Sequence, residues 1–205
     1  MLYTMNLIET LNWRYATKQF DPTQKLSEDQ LFQLTESLRL APSSFGLQPW
    51  KFLIVTNPEI REQLVNTWGQ RQVADASHLI VLCAKDDVTE EDVQQYVNNI
   101  ITTRTTIEQL QDYQAMMNSL TAQTPQQRAI RAEKQVYIAQ FLLMAAAQLE
   151  IDACPMEFDR QAYDNILLTS YHSVVLVPVY RSSNDYYAQA PKVRYTTDQV
   201  IEHIK

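Results

Sequence analysis

Ser173–Arg181 reads Ser-Val-Val-Leu-Val-Pro-Val-Tyr-Arg. An apolar run of this length, bounded by polar residues, predicts a buried strand, with Pro178 hinting at an edge or a bulge. The run Val174–Tyr180 is too short to span a bilayer. Working back from it, Ile151–Met156, Leu79–Ala84 and Trp50–Thr56 (WKFLIVT) read as three further strands. Helical patterns lie between them. Met5–Trp13 has apolar residues at helical spacing, and Ser27 with Gln30 forms a capping box ahead of Leu31, Leu34 and Leu38. Asn57-Pro58 opens a third helix. A long helix is expected from about Pro125 through Leu149, where FLLMAAAQL is apolar nearly all round and predicts a central, buried segment. Asp159–Leu168 is another helix, and Thr197–Ile204 a short helix or tail. Residues from about Thr89 to Thr124 are polar with few apolar anchors and read as a helical surface excursion. The order predicts an α+β sandwich, a mainly antiparallel or mixed sheet against helices, in a single domain over 1–205.

With 205 residues and 45% hydrophobic content, the chain can bury a real core. Its net charge of -7 argues against non-specific nucleic-acid binding, which needs a basic field. The N-terminus shows no basic start followed by an apolar stretch, so no signal peptide is read. Cys83 and Cys154 sit in strand-like contexts and read as small buried hydrophobes in a reducing compartment, the cytoplasm. Neither CxxC nor HExxH occurs, and histidines at 78, 172 and 203 suggest no metal site. Only two glycines occur, Gly46 and Gly69, so a glycine-rich phosphate loop is excluded. A bound phosphate would have to be held by side chains and non-glycine amides.

Four basic residues are candidates for that task. Arg14 and Lys18 follow the first helix, and Lys192 and Arg194 follow the last strand. A phosphate needs fixed positive groups and several donors, which an arginine fork supplies bidentately. By pattern alone, the same four read more readily as solvated surface charge. The loop Pro42–Pro49 offers hydroxyls, turn amides and Phe45 ahead of a core strand. It reads equally as a helix C-cap and turn with Gly46 at positive φ.

Five stretches occur in an order that resembles the flavin-dependent nitroreductase family, nearest the oxygen-insensitive NAD(P)H nitroreductase and dihydropteridine reductase branch. They are Arg-Tyr-Ala-Thr-Lys-Gln-Phe-Asp at 14–21, Ala-Pro-Ser-Ser-Phe-Gly-Leu-Gln-Pro-Trp at 41–50, Asp-Ala-Ser-His at 75–78, Cys-Pro-Met-Glu at 154–157 and Pro-Lys-Val-Arg at 191–194. The resemblance implies a nitroreductase-like sandwich in a domain-swapped homodimer, with two FMN sites at the subunit interface. Arg14, Lys192 and Arg194 are then expected to hold the phosphate, with Tyr15 and Ala16 against the flavin. Lys18 would sit near the pyrimidine edge, where an ammonium stabilises charge on reduced flavin. Pro42, Ser43 and Ser44 would come from the other subunit. Gln72 would donate to the polar edge, and Pro155, Met156 and Glu157 would lie along the ring. Phe45 would border the open face. The implied activity is ping-pong: NADH or NADPH passes hydride to flavin N5, and an electron-poor small molecule such as a nitroaromatic or quinone then takes it. No acid or base side chain is required.

The chain departs from the family pattern at three points. Phe158-Asp159 follows Glu157 where the family has Gly next, Gly69 stands where Asn is common, and Ala16 replaces a frequent Ser. The thinner ring contacts leave open a flavin-binding or interaction protein with weak or lost turnover.

Overall fold

The computed structural model describes residues 6–104, 106, 110–168 and 170–204. Met5, at the start of the expected first helix, lies outside the described residues. Among them, ten α-helices and four strands alternate: α1 (Leu7–Trp13), α2 (Glu28–Arg39), β1 (Trp50–Val55), α3 (Pro58–Trp68), α4 (Gln72–Asp75), β2 (His78–Lys85), α5 (Glu90–Thr103), α6 (Gln111–Thr121), α7 (Pro125–Ile138), α8 (Phe141–Gln148), β3 (Asp152–Ala153), α9 (Arg160–Leu167), β4 (Tyr171–Tyr180) and α10 (Thr197–Val200). No helix among the described residues is long and apolar enough to cross a membrane.

The helix starts follow from local chemistry. Ser27 and Gln30 form the expected reciprocal box on α2, and Thr124 and Gln127 form another on α7 with Pro125 at the first turn. Asn57 caps α3 and Gly69 ends it in the left-handed conformation, φ 70°.

The sheet order is β1-β2-β4-β3, and each adjacent pair is antiparallel. A single-residue parallel bridge, Ala16 to Ala153, makes the sheet mixed at its β3 edge. Side chains of β2 alternate between two cores. Ile80, Leu82 and Ala84 face one that includes α2, α7 and α8, while Leu79, Val81 and Cys83 face one that includes α3 and α9. With both faces covered, the central strands become continuous apolar runs. The architecture is therefore an α+β sandwich with helices on both faces of a mixed sheet.

Several expectations change. The long helix expected from Pro125 through Leu149 is two helices, broken at Ala139 and Gln140. It is not buried all round either: Leu142, Ala146 and Ala147 are buried, but Phe141 is 54% exposed. Pro178 lies neither at an edge strand nor at the bulge, which falls opposite Leu82 and Cys83. Its carbonyl accepts from Cys154 N–H, so its missing N–H leaves that pair a single bond before pairing resumes at Met156 and Leu176. The 89–124 excursion does have apolar anchors. Val93, Val97, Ile100, Leu110 and Met117 form a small core of their own.

Candidate functional site: a cation cluster and a strained loop

The capping box of Asn6 and Glu9 starts α1, and the chain leaves it at Arg14, whose backbone turns extended (φ -65°, ψ 138°). From there Ala16 pairs with Ala153 and Phe20 with Ser182, so residues 14–20 run along the β3 side of the sheet. Asp185 fixes this segment to the last part of the chain. Its buried carboxylate accepts from Lys18 N–H (2.5 Å) and Gln19 N–H (3.3 Å) through one oxygen, and from Tyr187 N–H (3.0 Å) through the other. Asp152 does similar work nearby, accepting from Ser182 N–H at 2.8 Å.

The result is a convergence of cations. Lys192 Nζ donates to the backbone carbonyl of Arg14. Burial lowers the Arg14 guanidinium below its ordinary value, and repulsion from Arg194 adds to this. Lys192 is lowered by burial and then by Arg14 and Arg194. Among the described residues none of the three forms an ion pair with a carboxylate. Three positive groups held together, two of them partly desolvated and none paired with a carboxylate among the described residues, make an arrangement that suits an anion. A phosphate monoester suits this donor set of two planar forks and one ammonium.

The neighbouring residues extend the cluster toward the sheet. Lys18 is exposed, and both it and Arg14 act electrostatically on Cys154, which is buried and whose thiol burial pushes up. Beyond Cys154, Met156 is committed to β4, giving its N–H to Leu176 O at 2.9 Å. Pro155 has no N–H. The N–H groups of Glu157 and Phe158 have no acceptor among the described residues and are available to a ligand. Gln72 begins α4 with its side chain making no hydrogen bond among the described residues. It is Gln70 that reaches the motif, donating to Glu157 O at 2.9 Å. Arg61, buried in α3, holds the adjoining turn by donating to the carbonyls of Val73 (2.7 Å), Ala74 (2.7 Å) and Ser77 (3.1 Å), and to that of Ala76. Tyr15 is half-buried, its hydroxyl unpartnered among the described residues.

The loop carrying Pro42, Ser43, Ser44 and Phe45 is elsewhere. Its contacts go to α5, α6 and α7: Ser44 N–H donates to Gln135 Oε1 (2.7 Å), and Arg131 Nη2 donates to Ser44 Oγ (2.8 Å). Ser43 Oγ accepts from Gln48 N–H at 2.9 Å. Phe45 has φ 57°, ψ 6°, and Gly46 and Gln48 also have positive φ. For a bulky residue this conformation costs on the order of 1–2 kcal/mol and persists only where neighbours enforce it. Among the described residues no hydrogen bond, ion pair or ring contact joins this loop to the cation cluster. The structure thus gathers Arg14, Ala16, Lys18, Pro155, Met156, Glu157, Lys192 and Arg194 along one side of the sheet and leaves Pro42–Phe45 as a separate group in the same chain. Asp185, Gln70 and Arg131 were not legible as site residues, because nothing in their spacing marks contacts formed across 167, 87 and 87 positions.

Fold and site together define a class: an α+β sandwich with a cluster of three cations beside its short edge strand. Comparison with known proteins makes this specific. Residues 11–179 match the model of the nitroreductase family. A Staphylococcus saprophyticus protein provisionally named an NAD(P)H nitroreductase is 34% identical over 97% of both chains. YfkO of Bacillus subtilis, provisionally named likewise, is 38% identical over 74% of this chain and 73% of its own. Among solved structures, a nitroreductase-like protein from Streptococcus mutans superposes with a TM-score of 0.84 at 21% identity, covering 97% of this chain and 98% of its own. A nitroreductase-like protein of Exiguobacterium sibiricum, solved in complex with FMN, gives 0.82 at 18% identity, covering 98% and 100%. The chain belongs to the nitroreductase family.

Proposed function

We propose that this chain is an FMN-dependent NAD(P)H oxidoreductase that reduces electron-poor small molecules such as nitroaromatics or quinones. The observation that carries the cofactor assignment is the convergence of Arg14, Lys192 and Arg194 without a carboxylate. These three hold the phosphate, the two guanidiniums as forks and the ammonium as a point charge. Bound FMN supplies the hydride relay between NADH or NADPH and the acceptor. The protein's part is position and electrostatics. Tyr15 and Ala16 line the cofactor, Lys18 balances negative charge at the pyrimidine edge, and Gln72 donates to that edge. Pro155, Met156 and Glu157 follow the ring, with Glu157 N–H as the available main-chain donor. No side chain need gain or lose a proton.

The working unit in this reading is a domain-swapped homodimer of single-domain chains spanning 1–205. Pro42, Ser43, Ser44 and Phe45 then serve the partner's cofactor, which accounts for their separation from the cations in one chain. The C-terminal arm supports it: Val193, Tyr195 and Ile204 are 86%, 78% and 93% exposed, as apolar residues awaiting cover are. Two free, buried cysteines suit a reducing compartment, the cytoplasm.

Purified protein should be yellow, or take up added FMN, and NADH or NADPH should bleach it anaerobically. Failure to bind any flavin would sink the assignment. Flavin that binds but stays oxidised with both donors would instead favour a flavin-binding protein without turnover. The commitment of the Met156 N–H to Leu176 is the observation that favours this second reading.

A further inference from the structure

We propose that Tyr113 is a positioning residue for the acceptor side of the site, clamping Phe45 in its left-handed conformation so that the ring bordering the open face has one fixed place. The inference rests on the reading that Phe45 borders that face. Phe45 is a bulky residue at φ 57°, so something must hold it. Three helices do. From α6, Tyr113 Oη donates to Phe45 O at 2.9 Å and its ring lies 5.8 Å from the Phe45 ring, tilted by 47°. From α7, the Arg131 guanidinium stands 5.9 Å from the same ring while donating to Ser44 Oγ, and it has no carboxylate partner among the described residues. From α5, the Tyr96 hydroxyl fills the space beside Gly46, where an added Cβ would lie 1.9 Å from it.

These contacts form one unit, since Phe45, Leu47, Tyr96 and Tyr113 all pack on the small core of Val93, Val97, Ile100, Leu110 and Met117. The α5–α6 excursion therefore serves as a jaw that closes on the Ser43–Gly46 loop. Burial pushes the Tyr113 phenol up, which keeps it a protonated donor to the Phe45 carbonyl.

Tyr113→Phe deletes the hydroxyl and keeps the ring. With the purified flavoprotein, steady-state rates are measured for one quinone and one nitroaromatic, alongside flavin content and Tm. The expected result is an acceptor KM raised about fivefold, the worth of one neutral hydrogen bond, with kcat and flavin content nearly unchanged. Phe45→Gly removes both ring and strain, so adding Tyr113→Phe to it should cause no further rise. Unchanged KM for both acceptors, or additive effects in the double variant, would overturn the clamp. Wild-type protein that reduces neither acceptor would instead remove the function on which it rests.

Discussion

The ammonium of Lys192 donates to the backbone carbonyl of Arg14, closing a contact across 178 positions of the chain. The bond places Lys192 where its charge meets those of Arg14 and Arg194. The proposal that all three hold a phosphate has consequences that can be measured.

The first consequence concerns pH. Burial and two neighbouring guanidiniums lower Lys192 below the ordinary lysine value. A bound phosphate favours the ammonium and raises it again. FMN affinity should therefore be full where Lys192 is charged and the phosphate dianionic, and should fall as pH rises through the lowered value. Binding at alkaline pH should take up a proton. Dissociation constants from pH 7 to 10.5 check this. Lys192→Met should weaken binding at neutral pH and abolish the alkaline decline; a decline that persists in the variant would assign it to another group.

Asp185 is not itself assigned to the cofactor, yet it ties residues 18 and 19 to residue 187 through three N–H bonds. Asp185→Ala leaves those donors without their carboxylate. The expected cost is about 2 kcal/mol of stability, with FMN affinity also reduced because the two halves of the cation cluster are no longer registered. Chemical denaturation and flavin titration measure the two effects separately. Loss of stability with unchanged affinity would confine Asp185 to the fold.

The chain's two glycines should respond differently to substitution. Both have positive φ, 76° at Gly46 and 70° at Gly69. Gly69→Ala meets nothing within 4 Å, so it should cost only the left-handed penalty, about 1 kcal/mol. Gly46→Ala adds a collision with Tyr96, so it should cost more and should also disturb acceptor kinetics. Thermal melts of both variants test the order; equal losses would mean that Tyr96 simply swings away.

The strands were legible because both faces of the sheet are covered, so LIVLCA carries no polar residue and the edge strand WKFLIVT only Lys51 ahead of its closing threonine. The caps at Ser27 and Asn57 were legible because their partners lie three residues away. The break at Ala139 and Gln140 was not, since neither proline nor glycine marks it and alanine and glutamine are good helix formers. Arg14, Lys192 and Arg194 were legible only through ordered motifs, as charge pattern alone does not distinguish them from surface residues. The jaw on Phe45 was hidden for a different reason. Tyr113 and Arg131 reach it across 68 and 86 positions, and its cause is a backbone angle that no local residue pattern announces.

The central claim is that Arg14, Lys192 and Arg194 hold the FMN phosphate, and riboflavin, which lacks that phosphate, separates this role from every ring contact. Titrations of wild type and Arg194→Ala with both flavins, followed by fluorescence quenching, test it directly. The predicted result is a loss of about 1.5–3 kcal/mol in FMN affinity, the scale of a charged hydrogen bond, with riboflavin binding unchanged. Unaltered FMN affinity, or an equal loss for riboflavin, would contradict it.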